Sequence, residues 1–403
     1  MSNKNIAVIF EGDVRQRLGV FNAVIQRALH LQAVSNHTLS IHMIQFYDGW
    51  LMSRLRHSDK VKEMPQEINI DGLTIHMHWF KRSFIDAIAH RILRCDAPCF
   101  ARFAKNLASR LKRFDVVVAH DRFAGEVAVK VKNIRNSHCF ITWHGTSIHT
   151  EPLNDSAIWR KTKQLLQKAD MNFFVSRGLE QKAREVFPDA EFQSDTLLNG
   201  ASPEFFRFSP GERAALREKF DVSDKKVVTF VGRFSPVKNV TLLPEIFHRI
   251  NEKHVELTAE RSDGDSDKIE FWTIGDGELL PQVKELMAQA GVNCRFWGSQ
   301  PAELMPSLLN CTDLLVLPSR VEGLPLVAAE ALACGANVVA SDVGGTAEAV
   351  GKENTFPLVD GFIDRLSQRG AQMLCEKIEQ KLPDEISWDA TARKENEYIS
   401  NLQ

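Results

Sequence analysis

The sequence predicts an α/β protein with two doubly wound, parallel-sheet domains. Its 403 residues suffice for two domains of about 200 residues each. Short apolar runs alternate with longer helical patterns, as βαβ units require. We find eleven such runs, and they suit two sheets better than one because most sheets have about 4–6 strands.

The predicted strands fall into two sets. The first six are "NIAVIF", "LSIHMIQFY", "LTIHMHWF", "DVVVAH", "CFITWHG" and "MNFFVS", and the last five are "KVVTFVGRF", "IEFWTIGDG", "VNCRFWGS", "DLLVLPS" and "NVVASDV". A stretch with prolines, glycines and aromatics separates the sets, so we predict a linker near Ser202 to Pro210. The predicted domains are 1–205 and 206–386. The polar tail predicts a helix over 387–403 that packs back on the first domain.

Residues with chemical character follow the predicted strands directly. Open parallel sheets bind ligands at the carboxyl ends of their strands, so we expect two such edges to face each other across a cleft. The residues in these positions are Gly12, His144, Ser176, Arg233, Gly275 and Glu322.

Composition excludes several classes of protein. The chain is 44% hydrophobic and 25% charged with a net charge of −2, which provides no general attraction for nucleic acid. The start "MSNKNIAVIF" is expected to be a first strand and not a signal peptide, and no apolar run is long enough to span a membrane. The seven cysteines form no CxxC pair, and Cys95 and Cys99 have no second pair nearby, so we predict reduced thiols in a cytoplasmic protein.

Two cations lie on one loop of the second domain. Arg233 and Lys238 flank the turn in "VGRFSPVKNV", where a bidentate guanidinium and a mobile ammonium suit a diphosphate. The alternative is two solvated surface cations. In "TIGDGELL", Gly275 and Gly277 allow a ligand or another backbone to come close, although a simple turn explains them equally well.

Two carboxylates border the predicted helix start in "PSRVEGLPLVAAEALACG". Glu322 precedes the helix, which we expect to start near Pro325, and Glu330 lies about 7 Å further along it. Free amides and the helix dipole at such a start favour a phosphate. A carboxylate accepts hydrogen bonds from two neighbouring hydroxyls, so one glutamate suits the sugar of a nucleotide sugar and the other suits its ribose. The alternative interpretation is a surface turn and a solvated helix residue.

These motifs resemble the retaining glycosyltransferases of family 4, which have the GT-B fold. The resemblance rests on "LLNGASPEFF", "VGRFSPVKNV", "IGDGELLPQVKEL" and "PSRVEGLPLVAAEALACGANVVASDVGGTAEAV", and less strongly on "VVVAH", "ITWHG" and "FFVSRGL". It covers nearly all of the second domain. It implies two Rossmann-like domains facing across a cleft, the first binding the acceptor and the second binding a nucleotide sugar, with no bound metal and no cofactor.

The resemblance also implies roles for individual residues. Catalytic roles fall to His144, Glu322, Arg233 and Lys238; donor-binding roles fall also to Gly12 or Gly19 and to Gly232, Gly275, Trp297, Gly298, Gly323, Leu324, Leu326, Val327 and Glu330. Arg233 and Lys238 would contact the diphosphate, Glu322 the transferred sugar and Glu330 the ribose. The backbone around Gly298 would meet the base. As further guesses, His120, His149 and Glu151 lie on the acceptor side.

Two departures from the family pattern bear on the donor site. The first loop lacks adjacent glycines, so either Gly12 or Gly19 can be the one that admits the donor phosphate. The family often has "EGFG" where this chain has "EGLP", and Pro325 has no N–H to donate to a phosphate.

Three other features admit competing interpretations. Asp263, Asp265 and Asp267 have metal-binding spacing, but we expect an exposed loop and activity that survives a chelator. His149 lies five residues after His144 without a third zinc ligand. The stretch 81–113 has nine Lys or Arg against two Asp. Three interpretations of this stretch are open. It is a basic amphipathic helix on an anionic membrane, a core-packed helix pair with a basic outer face, or a surface that recognises an anionic lipid diphosphate acceptor.

The sequence therefore predicts a retaining, metal-independent glycosyltransferase, cytoplasmic and at the inner face of the membrane if 81–113 binds there. We expect a UDP-sugar donor, with GDP-mannose as the alternative, and a glycan or lipid-linked acceptor in bacterial surface polysaccharide or glycolipid synthesis. A sugar-nucleotide epimerase and a catalytically silent nucleotide-sugar-binding subunit are the rival functions.

Overall fold

The computed structural model describes residues 3–14, 19–48, 63–82, 86, 88, 98–259, 268–376 and 378–402. It divides into two compact units. Unit 1 comprises Met1–Asn199 with Trp388–Gln403, and unit 2 comprises Gly200–Ser387. The division falls six residues before the predicted boundary because Ala201 pairs with Ser387 and the Asn310 side chain bonds the backbone of Phe206 and Phe208, which attaches this segment to unit 2.

Unit 1 contains an eight-stranded sheet in the order β3-β4-β2-β1-β5-β6-β7-β8. Neighbouring strands are parallel, except that β3 runs antiparallel to β4. The strands are β1 (Asn5–Glu11), β2 (Thr38–Tyr47), β3 (Glu67–Ile70), β4 (Leu73–Lys81), β5 (Val116–His120), β6 (His138–Trp143), β7 (Met171–Phe174) and β8 (Ser194–Thr196). The adjacent strands β1, β5 and β6 bring their carboxyl ends to one place at the sheet edge.

Helices cover this sheet, and the last helix of the chain is one of them. The described helices of unit 1 are α1 (Val20–Val34), α2 (Pro98–Leu111), α3 (Asp121–Arg135), α4 (Thr146–His149), α5 (Glu151–Asn154), α6 (Ser156–Lys168), α7 (Arg177–Val186) and α15 (Trp388–Ser400). Helix α15 contributes the buried residues Ala392 and Ile399 to the core of unit 1 and packs against α1.

Unit 2 contains a six-stranded parallel sheet in the order β11-β10-β9-β12-β13-β14. Its strands are β9 (Lys225–Val231), β10 (Lys268–Ile274), β11 (Cys294–Gly298), β12 (Leu314–Leu317), β13 (Asn337–Ser341) and β14 (Thr355–Phe356). Two buried clusters lie on its faces, one around Phe230, Phe247 and Leu366 and the other around Trp272 and Leu308. A sheet with helices on both faces is the doubly wound arrangement that the alternating pattern predicts.

The helices of unit 2 follow its strands. They are α8 (Pro210–Lys219), α9 (Leu243–Ala259), α10 (Leu280–Gln289), α11 (Met305–Cys311), α12 (Leu326–Ala333), α13 (Thr346–Val350) and α14 (Phe362–Cys375), with 3₁₀ turns at Pro236–Lys238, Val240–Leu242, Ala302–Leu304 and Lys352–Asn354. Helix α8 begins with a capping box, in which Ser209 Oγ accepts from the Glu212 amide and Glu212 accepts from the Ser209 amide.

The prediction of two parallel-sheet α/β domains is confirmed, and all eleven predicted strands are present. Three strands that the sequence did not indicate are β3, β8 and β14. Their sequences, "EINI", "SDT" and "TF", are too short or too polar to show a strand pattern. They form only through pairing with longer neighbours at the sheet edges.

Within the described part of the chain, no helix combines the length and the apolar composition that crossing a bilayer requires. Of the basic stretch 81–113, the structure describes 81–82, 86, 88 and 98–113. Helix α2 buries its apolar side in unit 1, where the 1% exposed Phe100 contacts the rings of Phe46, Phe80 and Phe123. Its apolar residues are therefore committed to the core, as the core-packed interpretation predicts.

Candidate active site

Loops at the carboxyl edge of the unit 2 sheet carry most of the predicted donor site. Lys238 lies in the 3₁₀ turn that follows β9, and Glu322 lies in the loop that follows β12. These strands are neighbours in the sheet, so their loops meet. Lys238 Nζ donates to Glu322 Oε1 at 2.6 Å, with the Glu322 side chain only 10% exposed. The two residues predicted to contact opposite ends of a phosphorylated sugar thus form an ion pair with each other.

Two loops are joined by backbone contacts that need glycine. A Cβ on Gly275 would lie 2.0 Å from the Gly232 carbonyl oxygen, and one on Gly277 would lie 2.5 Å from the Phe234 oxygen. Both glycines have φ in the positive region, at 131° and 154°. The structure therefore contains the close approach of another backbone, which is one of the uses that the sequence admits for these glycines.

The same contacts hold Arg233 in place. Its neighbour Gly232 donates to the Ile274 carbonyl at 3.0 Å, and Phe234 donates to the Asp276 carbonyl at 2.9 Å. The Arg233 side chain is 58% exposed, and its guanidinium lies 3.6 Å from Glu278. A braced backbone with an open guanidinium is suited to binding an anion from solution.

The loop with Glu322 is held by a pair of glycines that sequence reasoning missed. Gly345 N–H donates to the Gly323 carbonyl at 2.7 Å, and a Cβ on Gly344 would lie 1.9 Å from the Glu322 carbonyl oxygen. Gly344 also has a φ of 56°. The signal was present in "DVGG" directly after β13, but nothing in the sequence says which loop these glycines touch.

Helix α12 starts one residue later than predicted. Pro325 is the N-cap with an extended backbone, and Leu326 is the first helical residue. The first-turn amides of Leu326 and Val327 have no acceptor within the helix, as at any helix start. Leu324 is buried at 4% exposure. An anion at this end of α12 would meet two amides and a favourable helix dipole.

Glu330 is half-buried on the second turn of α12. Burial and, to a smaller extent, the nearby carboxylate of Glu204 together raise its pKa to about 7. Within the described residues, its side chain has no hydrogen bond or ion pair. A carboxylate that no protein group occupies can accept hydrogen bonds from a ligand.

Trp297 and Gly298 differ in what they offer a base. The Trp297 ring packs 5.2 Å from Trp272 and 5.5 Å from Phe220, so it belongs to the core of unit 2. Gly298 has a φ of 67°, and its carbonyl accepts from Gly275 at 2.8 Å. The indole of Trp297 is therefore part of the core, whereas Gly298 lies at the sheet edge, where β11 ends.

In unit 1, the two glycines of the first loop have different surroundings. A Cβ on Gly12 would lie 2.6 Å from Met43 Sδ, so this glycine is needed for packing inside unit 1. Gly19 is the N-cap of α1 with a φ of 32°, and no described atom comes within 4 Å of a Cβ built there. Within the described part of the chain, Gly19 therefore has open space beside it where α1 begins.

A polar cluster lies at the carboxyl ends of β5 and β6. His120 Nδ1 and His144 Nε2 are 2.8 Å apart. The backbone N–H of His144 donates to Asp121 Oδ1 at 3.1 Å, and Asp121 has an unusual φ of 63° for a residue other than glycine. Burial raises the pKa of Asp121 to about 7. Asp121 thus anchors the backbone of His144, the histidine for which the resemblance implies a catalytic role.

The other two acceptor-side guesses lie in different places. Glu151 Oε2 lies 3.4 Å from Arg122 Nε, beside the histidine pair. His149 faces α7, where burial and then Lys182 lower its pKa, and its buried Nε2 has no partner among the described residues. His120 and Glu151 thus belong to the cluster at the sheet edge, whereas His149 contacts a neighbouring helix.

The short "HD" at His120 and Asp121 follows a strand, so the sequence predicts both residues at this edge, whereas sequence reasoning missed two other members of this cluster, Arg122 and Glu11. Asp121 and Arg122 open α3 directly after β5, and Glu11 ends β1, the next strand in the sheet. Desolvation of the Glu11 carboxyl by the surrounding protein raises its pKa to about 7. Because the residue is exposed at the surface, solvent screening reduces this effect. All three residues lie at or directly after the end of a predicted strand, so their place at the sheet edge could be predicted from the sequence, as it was for His144.

Asp263, Asp265 and Asp267 lie outside the described residues, as do Cys95 and most of 83–97. Among the residues that the structure describes, no three His, Cys, Asp or Glu side chains are arranged to hold a metal ion.

Residues 212–395 match the family described as "Glycosyl transferases group 1". The putative glycosyltransferase YtcC of Bacillus subtilis is 28% identical over 54% of this chain and 54% of its own length. The GDP-mannose-dependent alpha-(1-6)-phosphatidylinositol monomannoside mannosyltransferase of Mycolicibacterium smegmatis is 30% identical over 52% of this chain and 54% of its own. The matches thus span about half the length of these two relatives.

The whole chain resembles a solved structure in fold. Anabaena Alr3699/HepE in complex with UDP superposes with a TM-score of 0.65 at 17% identity, over 99% of this chain and 100% of the other. At this identity the likeness concerns the fold alone. It shows that the chain has the GT-B fold, and the match of residues 212–395 shows similarity to the group 1 glycosyltransferases over most of unit 2.

Proposed function

We propose that the protein transfers a sugar from a nucleotide sugar, with retention of configuration and without a bound metal, to a hydroxyl of a glycan or lipid-linked glycan. One observation carries the proposal. The carboxyl edge of a single sheet brings together Lys238, Glu322, Arg233, the start of α12 and Glu330. These are two cations, free helix amides and two carboxylates, the groups that a sugar diphosphate joined to a ribose requires.

Each part of the donor then has a protein partner. Arg233 and Lys238 hold the diphosphate together with the amides of Leu326 and Val327. Glu322 accepts hydrogen bonds from hydroxyls of the transferred sugar, and the unoccupied carboxylate of Glu330 accepts from the ribose. For this to happen, donor binding must replace the contact of Lys238 with Glu322.

The reaction that suits these groups is a front-face substitution. The bond between the anomeric carbon and the diphosphate oxygen breaks, and the bond to the acceptor oxygen forms on the same face. The departing diphosphate oxygen takes the proton of the attacking hydroxyl. The protein residues chiefly stabilise the negative charge that grows on the diphosphate, which is where preorganised cations and amides are most effective.

A UDP-sugar is our preferred donor, and GDP-mannose is the alternative. The Anabaena protein, which has a similar fold, was solved in complex with UDP, whereas the name of the mycobacterial relative states that it depends on GDP-mannose. Bacterial surface polysaccharide or glycolipid synthesis is the process that we propose. Because the apolar side of α2 is buried, contact of this segment with an anionic membrane or lipid diphosphate would use its basic outer face. The exposed cations on that face are Arg102, Lys105, Arg110, Lys112 and Arg113.

Calorimetric titration with UDP and GDP, with and without EDTA, tests the donor site. We expect chelator-insensitive binding of one nucleotide, weakened about tenfold or more by Glu330→Ala because two hydrogen bonds to the ribose are lost. Glu218→Ala removes an exposed glutamate from α8 of the same unit and is the matched control, expected to bind as wild type.

Three outcomes would contradict this assignment. Binding of neither nucleotide, or binding indifferent to Glu330, would refute the nucleotide-sugar site. Tight donor binding without transfer to any acceptor would favour a silent binding subunit, and donor turnover without acceptor would favour an epimerase. The anomeric configuration of the product, read by NMR, checks retention.

The raised pKa of Glu330 predicts how donor binding depends on pH. Below a pKa of about 7 the group is mostly protonated and loses acceptor capacity. The affinity for UDP-glucose should therefore rise about tenfold between about pH 6 and pH 8, and this rise should vanish in Glu330→Gln. An equal rise in both proteins would show that another group titrates.

The same raised pKa of Glu330 makes the ligand-free protein less stable as pH rises, whereas it makes donor binding tighter. Folding raises the pKa of Glu330 from 4.5 to about 7, so the folded protein binds this proton more tightly than the unfolded chain does. The contribution of Glu330 to the free energy of unfolding is therefore greatest below pH 4.5 and is lost as pH rises towards about 7. Ligand-free protein should gain stability from Glu330→Gln at pH 8, measured by urea unfolding, and should gain none near pH 4.

A further inference from the structure

Two histidines at the sheet edge of unit 1 share a hydrogen bond whose direction is set by their surroundings. His120 Nδ1 lies 2.8 Å from His144 Nε2, and His120 is 2% exposed whereas His144 is half-buried. Burial and then Arg27 lower the pKa of His144 to about 3, and burial, His144 and Arg27 hold the pKa of His120 well below its usual range. Both rings are neutral at pH 7, so one donates and the other accepts.

Behind this pair lies a buried ion pair that joins two distant parts of the chain. Arg27 on α1 donates from Nε to Glu395 Oε2 on α15 at 2.5 Å and from Nη1 to Thr142 Oγ1 at 2.9 Å. Arg27 is 5% exposed and Glu395 is 1% exposed. The remaining nitrogen of the guanidinium, Nη2, is buried and has no hydrogen-bond partner in the described part of the chain.

Arg27, Glu395 and His120 line the same small cavity, whose other walls include Val8, Val118 and Leu31. Because Nδ1 of His120 is engaged with His144, Nε2 is the ring nitrogen left for the cavity. A guanidinium can only donate, whereas a carboxylate can only accept. The Arg27 charge acts on both histidines, and Arg27 Nη1 bonds Thr142, the residue paired with His120 in the sheet. Glu395 Oε1 is buried and also has no hydrogen-bond partner in the described part of the chain, but the charges that shift the pKa of either histidine do not include Glu395. This setting favours an Nε2 of His120 that accepts.

If Nε2 of His120 accepts, its proton sits on Nδ1 and is donated to His144 Nε2. The proton of His144 is then on Nδ1, the nitrogen that faces away from His120. We infer that Arg27, Glu395 and His120 are positioning residues that fix His144 as a neutral imidazole with its hydrogen-bond donor on Nδ1. Since His144 is the more exposed member, a ligand reaching the pair meets this donor.

This inference rests on the proposed function for its consequence. A neutral N–H donor at a fixed place suits a hydroxyl or ring oxygen of the donor sugar or of the acceptor, and it cannot compete with the leaving diphosphate for the acceptor proton. It also gives α15 a role beyond packing, because Glu395 holds the guanidinium that sets the tautomer.

The tautomer can be measured without any substrate. Long-range ¹H–¹⁵N correlation spectra of histidine-labelled full-length protein distinguish protonated from unprotonated ring nitrogens. Wild type should show His144 with a protonated Nδ1 and an unprotonated Nε2 at pH 7. His120→Leu should give a mixture of both tautomers, and His120→Asn, whose amide can donate in place of Nδ1, should restore the wild-type pattern.

Transfer kinetics give the second readout. His120→Leu should lower kcat about tenfold, and His120→Asn should recover most of that loss. The matched control is His42→Leu. His42 is likewise a buried histidine, 4% exposed, whose Nδ1 lies 3.1 Å from the Nε2 of a second histidine, His78. It lies inside strand β2, however, and not at the sheet edge where His120 and His144 meet. His42→Leu should change neither kcat nor the His144 signals.

A second variant tests the ion pair without leaving a lone buried charge. Arg27→Met with Glu395→Leu replaces both charges by apolar side chains, which is far less disruptive than removing one of them. We expect a folded protein with mixed His144 tautomers. A wild-type His144 protonated on Nε2, or an unchanged tautomer in both this variant and His120→Leu, would overturn the inference. If the nitrogen signals are as expected but the protein transfers no sugar, the proposed function alone is refuted and the tautomer assignment stands.

Discussion

Replacing Lys238 by methionine should lower kcat/KM for sugar transfer by about 10²–10³-fold, the loss expected when one charge-stabilising donor is removed from a phosphate site. Lys238 is the partly buried cation of the donor loop, within 2.6 Å of Glu322, whereas Arg233 is 58% exposed. The partly buried charge is less screened by water and should contribute more. Steady-state kinetics with saturating acceptor measure the effect.

Loss of the fold must be separated from loss of function in this variant. Lys238→Met leaves Glu322, 10% exposed, without its cation, which should lower the free energy of unfolding by about 1–3 kcal/mol. Adding Glu322→Gln should restore that stability but not the activity. Lys352→Ala, at an exposed lysine of the same unit, is the control and should leave transfer unchanged. Near-normal transfer by Lys238→Met would remove Lys238 from the diphosphate site.

Replacing Gly344 by alanine should weaken donor binding about a hundredfold and lower the free energy of unfolding by about 2–4 kcal/mol. The added Cβ would lie 1.9 Å from the Glu322 carbonyl oxygen, which is backbone and cannot rotate away. Glu322 and Gly323 must then shift, and with them the mouth of the donor site ahead of α12. Nucleotide titration and urea unfolding measure the two effects.

A second glycine isolates the effect of the clash from that of backbone strain. Gly291 has a φ of 66°, close to the 56° of Gly344, but a Cβ there would meet no described atom within 4 Å. Gly291→Ala should therefore cost only the strain, about 1–2 kcal/mol, and leave donor binding intact. Equal loss of donor binding in both variants would show that Gly344 does not act through the Glu322 loop.

The fold class and the strand ends of this protein could be predicted from the sequence. Buried parallel strands appear as apolar runs such as "LLVL", and the loops after them must lie at one sheet edge, so the sequence predicts that Arg233, Lys238 and Glu322 lie together. The start of α12 was predicted within one residue because proline and glycine limit the backbone locally.

Contacts between loops could not be predicted, because they depend on how separate elements pack. Nothing in "TIGDG" indicates that Gly275 faces the Gly232 carbonyl, and nothing in "DVGG" indicates Glu322. The short strands β3, β8 and β14 likewise form only beside longer partners.

Two α/β units, their donor-type motifs and a histidine directly after β6 could be predicted from the chain alone, since apolar periodicity and local turn chemistry indicate them. The contact of Glu395 in the last helix with Arg27 in the first, behind His120 and His144, depends instead on tertiary packing. Residues 368 positions apart carry no local signal of contact. They meet because α1 and α15 bury their apolar faces in the same core, which brings a buried charge and its counter-charge together.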